Sequence, residues 1–325
     1  MDTTRKSAPR TIPIFGAEET ARALEFRKLI PAIRDAFAVG AKVPLRHHHE
    51  MPQSDGTEAT LLLMPAWQPN GGVIGVKIVT VFPGNTQRQI PGVHSTYLLC
   101  DGETGEHLAI IDGNQITGRR TVGVAALAAS YLARDDAERL LIVGAGRIGS
   151  MAPFAYREVR HISDVKVWDV NRANSVRLVQ ALAADGMTAS VADDLEEAVS
   201  NSDMISCATL STEPLIKLEW MRPGTHLDLI GSFTPQMREA DDACFATGSV
   251  YIDSPDALKE SGDLISPIER GILQEKDILG TLSDLCSGAV PGRRSDDEIT
   301  VFKAVGTGLS DLAAGALAYR ELSKA

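Results

Sequence analysis

Six short apolar runs alternate with stretches long enough for helices: RLLIVGA (139–145), DVKVWDV (164–170), TASVA (188–192), DMISCAT (203–209), HLDLIGS (226–232) and SVYID (249–253). Strands separated by helices do not pair as tight hairpins, because each helix returns the chain to the same end of the sheet. The pattern therefore predicts α/β architecture with a parallel, doubly wound sheet of the Rossmann kind. The chain has 325 residues, and at roughly 150 residues per domain two domains are expected.

The region before residue 117 has a different character. Residues 17–39 carry apolar side chains at helical spacing, with Pro31 expected to break them into two helices. Apolar runs at 59–67, 72–83, 94–101 and 107–113 follow, divided by Gly, Pro, Asn and Asp, and DGETG (101–105) is a hairpin signal. These imply a small, largely antiparallel sheet. TGRRTVGVAALAASYLAR then reads as a helix starting near Thr117 or Gly118, and TVFKAVGTGLSDLAAGALAYRELSKA as a final helix behind a Gly-rich entry. That last helix follows the last βα unit and is expected to return to the first domain. The expected division is 1–120 plus 305–325 as a discontinuous α+β domain for substrate binding and dimerisation, with a dinucleotide-binding domain at 121–304 inserted in it.

The first run of the second region ends in LLIVGAGRIG. Gly144, Gly146 and Gly149 form GxGxxG between a strand and a helix. Such glycines permit a tight turn, close approach of a pyrophosphate to the backbone, and close helix–strand packing. An acid, Asp169, ends the next strand twenty residues beyond Gly149, where a carboxylate accepts hydrogen bonds from the adenosine ribose and repels a 2′-phosphate. NAD(H) is therefore favoured. NADP(H) stays open because Arg172, three residues on, could meet a phosphate; its alternative is a solvated surface arginine.

Charge and cysteine content narrow the function classes. Lys+Arg number 32 against 43 Asp+Glu, a net charge of −11, which argues against a nucleic-acid backbone as partner. No run approaches the roughly 20 apolar residues of a membrane helix. The segment MDTTRKSAPRTIPIFG lacks the apolar core of a secretory signal. Cys100, Cys207, Cys244 and Cys286 form no CxxC pair; a reduced, cytoplasmic setting is expected.

Three cations sit in unusual company. Lys77 lies in GVIGVKIVTVFP, where an ammonium either faces an anion in a pocket or snorkels to solvent. Arg119 and Arg120 fall at the expected start of a helix, a place whose dipole disfavours cations unless an anion joins them. Solvated arginines are the alternative. LRHHHEM (45–51) invites a metal reading, but adjacent histidines on a strand point to opposite faces. No metal is expected, and Arg46 is the dependable cation of that run.

Taken in order, GVKIVTVFPGN (75–85), LLCDGETGEHLAIIDGNQITGRRT (98–121), LLIVGAGRIG, HLDLIGSFTPQMREAD (226–241) and TVFKAVGTGLSDLA (300–313) resemble the ornithine cyclodeaminase/mu-crystallin family. The resemblance spans nearly the whole chain. It implies a Rossmann domain inserted in a discontinuous substrate and dimerisation domain, a homodimer, and an NAD(P) cofactor. It assigns Arg46, Lys77 and Arg120 to the substrate α-carboxylate, with Arg120 also bordering the cofactor. Ser95, Arg147, Ile148, Asp169, Thr209, Gly231, Ser232, Val305 and Gly306 match cofactor-contacting positions.

Two positions depart from the cyclodeaminase pattern. Leu62 stands where a glutamate precedes the MP dipeptide, and Phe233 stands where those members carry a catalytic aspartate. Without both acid–base groups, ornithine cyclisation is not expected. IGSFTPxMRE resembles the members that reduce cyclic ketimines, Δ1-pyrroline-2-carboxylate and Δ1-piperideine-2-carboxylate, to L-proline and L-pipecolate. The expected mechanism is hydride transfer to the C=N carbon of an imino acid whose carboxylate is clamped by the three cations. Lys77, its basicity lowered by neighbouring cations, is the candidate proton donor, and Leu62 with Phe233 forms an apolar wall. Alanine or another amino-acid dehydrogenase, an opine-like dehydrogenase needing a larger pocket, an ornithine cyclodeaminase despite the two departures, and a non-catalytic mu-crystallin-like binding protein are the alternatives.

Overall fold

The computed structural model describes residues 11–54 and 56–324, so most of the N-terminal segment read for a secretory signal lies outside the described residues. The described residues divide into two units, one holding residues 11–24, Ala41–Thr117 and 311–324, the other Glu25–Gly40 and Gly118–Ser310. The expected boundaries differ chiefly in placing residues 25–40 with the first unit.

In the first unit β1 (Ile14–Phe15) and α1 (Ala17–Ala23) come first. The helix α2 (Phe26–Val39) belongs to the second unit, and Pro31 lies inside it; the break falls at Leu24–Glu25 instead. A proline within a helix removes one N–H donor, and here the amphipathic face of α2 outweighs that loss: Phe26, Leu29, Ile30, Ile33 and Phe37 are buried. Then come β2 (His47–Pro52), β3 (Glu58–Trp67), β4 (Val73–Val81), β5 (Val93–Asp101) and β6 (His107–Asp112). They form a six-stranded sheet in the order β1-β6-β5-β4-β3-β2, antiparallel except for β1 on β6. The β5–β6 hairpin turns on Asp101, whose Oδ1 accepts the Glu103 and Thr104 amides, with Gly105 at φ +73°.

Next, α3 (Gly113–Leu132) starts earlier than its sequence suggests. Asp112 Oδ1 accepts the Gln115 N–H at 2.6 Å, capping the helix there. Arg119 and Arg120 are therefore interior to α3, and the argument from a cation-averse helix start does not apply to them. Gly113 packs on β5, since a Cβ there would overlap Ser95 Oγ.

The second unit continues with β7 (Arg139–Val143), α4 (Ala152–Tyr156), β8 (Asp164–Trp168), α5 (Arg172–Ala184), β9 (Ala189–Val191), α6 (Leu195–Ser200), β10 (Met204–Cys207) and β11 (His226–Leu229). After these come α7 (Asp242–Thr247), β12 (Ser249–Ile252), α8 (Ala257–Glu260), α9 (Gly262–Glu269), β13 (Gly280–Thr281), α10 (Leu282–Ser287) and β14 (Thr300–Lys303); α11 (Gly308–Leu322) follows and from Asp311 onward belongs to the first unit. All eight strands are parallel, in the order β13-β12-β14-β11-β10-β7-β8-β9. The order reverses direction at β7, the switch point at which such sheets bind ligands beyond their carboxyl ends. One stretch corrects the sequence reading: TVFK, read as the entry of the final helix, is β14, buried between β11 and β12. Leu141, Val143, Ile205, Cys207, Leu227, Leu229, Val250 and Val301 fill the core on this sheet. No helix of the described residues is long and apolar enough to cross a membrane.

Candidate active site

In the first unit the site residues share one face of the sheet. Lys77 pairs in register with Met64 on β3 and Tyr97 on β5; Leu62, Val79 and Ser95 lie two residues along on the same face. Arg46, half-buried, immediately precedes β2, whose first residue pairs with Leu63. Alternation puts Arg46 on this face as well.

The ammonium of Lys77 lies 2.7 Å from Asp311 Oδ2 of α11, and both side chains are buried. The expected setting, with cations crowding Lys77, is thus corrected: its partner at contact distance is a carboxylate. A buried ion pair costs desolvation of both charges and is weak evidence of stability. An ion pair in that setting is the candidate for chemistry on this face. Tyr97 lies buried beside it, in space left by Gly75 and Gly315; a Cβ at either glycine would overlap the ring or its hydroxyl. Burial, then the Asp311 charge, push the Tyr97 phenol well above its ordinary range. The Tyr97 and Ser95 hydroxyls are buried with no hydrogen-bond partner among the described residues.

In the second unit the remaining residues gather at the carboxyl edge of the parallel sheet. Gly144 turns the chain at φ +93°, and a Cβ there would lie 2.7 Å from Ala208 O. A Cβ on Gly149 would overlap Gly144 O, so the chain packs there backbone to backbone. Beside Gly146 a Cβ would meet nothing within 4 Å. That open approach, with exposed Arg147 and half-buried Ile148 next to it, is the shape a pyrophosphate requires. Asp169, just beyond β8, accepts the Ala145 N–H at 2.8 Å, the Asn171 N–H at 2.8 Å and Asn174 Nδ2 at 3.1 Å. It braces the glycine loop through Ala145. Arg172 is engaged by Asp193 at 3.0 Å, both exposed.

Further along the edge, Glu239 accepts the Thr209 N–H, the Thr209 hydroxyl and the Gly231 N–H. Ser232 Oγ donates to Met237 O at 2.6 Å. Asp253, at the end of β12, accepts the Val305 and Gly306 amides at 3.2 and 2.7 Å. Gly306 (φ +84°) lies directly on the guanidinium of buried Arg120, where a Cβ would overlap Nη1. Burial raises the Asp253 carboxyl above its ordinary value, opposed by the Gly306 and Val305 amides and by Arg120. Three apolar side chains stand out into solvent at the same edge: Val170 at 92% exposed, Leu210 at 72% and Phe233 at 48%. Exposed apolar groups gathered at a ligand edge are what a flat, partly apolar ligand would cover.

Asp311, Tyr97, Glu239 and Asp253 were not singled out from sequence. The signals were present: Asp311 interrupts the apolar helix GLSDLAAGALA, and Asp253 ends the apolar strand SVYI.

Comparison with known proteins gives the same picture along the whole chain. A Δ1-pyrroline-2-carboxylate reductase of Paracoccus denitrificans is 39% identical over 279 residues, 82% of this chain and 87% of that one. The structure of the Thermococcus litoralis Δ1-pyrroline-2-carboxylate reductase in complex with NADH and L-proline superposes with a TM-score of 0.90 at 31% identity, covering 96% of this chain and 98% of that one. An archaeal alanine dehydrogenase dimer with bound NAD gives a TM-score of 0.88 at 30% identity, covering 96% and 97%. Residues 14–325 match the pattern of one family, and with the glycine loop, the braced Asp169 and the buried Lys77 in place, the chain belongs to the ornithine cyclodeaminase/mu-crystallin family.

Proposed function

We propose that the chain reduces the C=N bond of a cyclic ketimine bearing a carboxylate on the imine carbon, with NADH favoured over NADPH. The substrates are Δ1-pyrroline-2-carboxylate and/or Δ1-piperideine-2-carboxylate, and the products L-proline and L-pipecolate. The observation that carries this reading is the buried Lys77–Asp311 pair on the sheet face that also bears Leu62. A bound NADH supplies the hydride. Arg46, Lys77 and Arg120 are assigned to the substrate carboxylate; fixing that one end orients the imine carbon, and orientation alone can be worth roughly 7–11 kcal/mol. The imine nitrogen must gain a proton, which Lys77 holds at Nζ and Asp311 orients. Leu62 and Phe233 offer apolar contact to the ring methylenes and no acid or base, which supports reduction over cyclisation. One ring methylene changes binding by only about 1–3 kcal/mol, so both ring sizes are expected to react.

The cofactor preference rests on Asp169 and Arg172. Asp169 stands at the end of β8 with three of the chain's own donors on its oxygens, which supports a carboxylate there beside the ribose, and Arg172 is occupied by Asp193. A homodimer is supported by the other face of the first unit's sheet. Leu61, Leu63, Trp67, Val76, Ile78 and Leu98 form an apolar surface on which Trp67 and Ile78 are exposed. A second copy would cover it; sedimentation should then show dimers, and Ile78→Asp monomers, whereas a monomeric native chain would refute this assembly. Four free cysteines agree with a reducing, cytoplasmic setting.

The decisive assay follows NADH and NADPH oxidation with each cyclic ketimine and with pyruvate plus ammonia. Ketimine reduction faster with NADH is the expected result; oxidation only with pyruvate and ammonia would replace the reading with alanine dehydrogenase, the activity of the archaeal neighbour. Lys77→Met should lower ketimine reduction by orders of magnitude. Because it strands Asp311 as a buried charge, Lys77→Met/Asp311→Leu is the companion variant that removes both charges. Full activity in either would remove Lys77 from the mechanism.

A further inference from the structure

Each of three carboxylates at the carboxyl edge ties the ends of two neighbouring strands. Asp169 joins β8 to β7 through Ala145, and Asp253 joins β12 to β14 through Val305 and Gly306. Glu239 joins β10 to β11 and makes the tightest of these ties. Its Oε1 accepts the Thr209 N–H at 2.7 Å and the Thr209 hydroxyl at 2.9 Å; its Oε2 accepts the Gly231 N–H at 2.6 Å. The residue is fully buried. Its own N–H is held at 2.8 Å by Asp263 Oδ1, and the buried ammonium of Lys303 lies 3.6 Å from Asp263 Oδ2. Gly231 allows the two loops to meet, since a Cβ there would overlap Thr209 O and Glu239 Oε1.

The strand order sets what this tie can do. A dinucleotide whose pyrophosphate lies at the glycine loop after β7, and whose ribose lies at Asp169 after β8, must extend its other half over β10 and β11. The loops that half would meet, at Thr209 and at Gly231–Ser232, are the two that Glu239 holds together. We propose that Glu239 is a positioning residue for the nicotinamide half of the cofactor, fixing the spacing of the Thr209 and Gly231–Ser232 loops against which that half is held. The inference rests on the dinucleotide reading of this edge and not on the identity of the imine. A carboxylate suits the task because three donors converge on it and both of its oxygens accept. A glutamine there would accept with one oxygen only and turn an NH2 toward a backbone N–H.

The test titrates full-length Glu239→Gln with NADH and, separately, with ADP, which has the adenosine and pyrophosphate but neither the second ribose nor the nicotinamide. The expected result is an NADH Kd raised about tenfold, the scale of one lost charge-assisted bond, with ADP affinity essentially unchanged. Equal weakening of both ligands would make Glu239 a general scaffold residue and overturn the proposal. Unaltered NADH affinity would overturn it too. Should Glu239→Gln fail to fold, Glu239→Asp keeps the charge and both accepting oxygens but, one methylene shorter, draws them back from the two loops. It is expected to weaken NADH and leave ADP untouched; undiminished NADH binding by it would end the proposal. A native chain that binds NADH normally but reduces no ketimine would sink the proposed substrate and leave this inference standing.

Discussion

The two edges of the eight-stranded sheet differ in whether the chain's own groups complete them. At the amino edge, arginines close the structure. Arg160 donates to the carbonyls of Ser130, Ala133 and Arg134, and Arg293 to those of Leu132 and Gly224. Apart from that of Gly224, these carbonyls lie at or just beyond the end of α3, where cations also suit the helix dipole. A cleft of about 650 Å³ opens there, lined by Arg134, Arg160, Arg293 and Asp296 among others. With Arg160 and Arg293 engaged by backbone and Arg134 by Asp136 and Asp203, it is a poor anion site. At the carboxyl edge the roles invert: Asp169, Glu239 and Asp253 receive backbone N–H groups, and the apolar side chains are left in solvent. One edge is completed by the protein's own groups; the other is braced from behind and presents a surface for a ligand to complete.

The comparison breaks most sharply at Asp203, on the amino edge just before β10. It accepts the Glu138 and Arg139 amides and the Arg139 guanidinium, and Arg134 reaches it at 3.2 Å. Burial pushes this carboxyl up, but Arg139 and the two amides outweigh burial and hold it at about 2. An unfolded aspartate titrates near 3.9, so the folded value is the depressed one. Its stabilisation is complete above about pH 4 and lost as pH falls through about 2. Asp203→Asn should cost about 3 kcal/mol, measured by denaturant unfolding at neutral pH. It should also flatten the loss of stability between about pH 4 and pH 2. NADH affinity should not change. A variant that kept its stability but lost NADH binding would erase the distinction between the edges.

How far this could be read from sequence depends on how local each signal is. Strands β7, β8, β10, β11 and β12 and the glycine loop carry their information in runs of contiguous residues, and they lie where the sequence puts them. Strand β14 has four residues, too few for a period, and its run leads straight into the Gly-rich entry of the final helix, so the strand preference of its valine and phenylalanine had no boundary to mark it. The start of α3 was hidden because glycine at a first helical position suggests a loop, while the capping Asp112 reads as part of a turn. Within the site, Lys77 announces that a buried ammonium needs an opposite charge. Which acid supplies it depends on packing across more than two hundred residues of chain. Glu239 was invisible for a related reason: two of its three donors are the backbone N–H groups of Thr209 and Gly231, which carry no side-chain signature.

A gentler change sharpens the same contrast from the carboxyl side. Gly146 has an ordinary negative-region backbone, being absent from the positive-φ glycines among the described residues, and a Cβ there meets no protein atom within 4 Å. Gly146→Ala should therefore be tolerated by the fold. Restricting the unfolded chain should even stabilise it by about 0.4–1 kcal/mol. The added methyl nevertheless stands where the pyrophosphate must approach the backbone. NADH Kd should rise about tenfold, an expected loss near 1.4 kcal/mol, while the thermal midpoint stays level or climbs. Opposite signs for stability and binding are the diagnostic outcome, because a residue serving the protein's own packing would lose both together. If NADH bound Gly146→Ala as tightly as the native chain, the open space beside Gly146 would not be where the pyrophosphate lies, and the carboxyl edge would lose its claim to be the ligand-facing one.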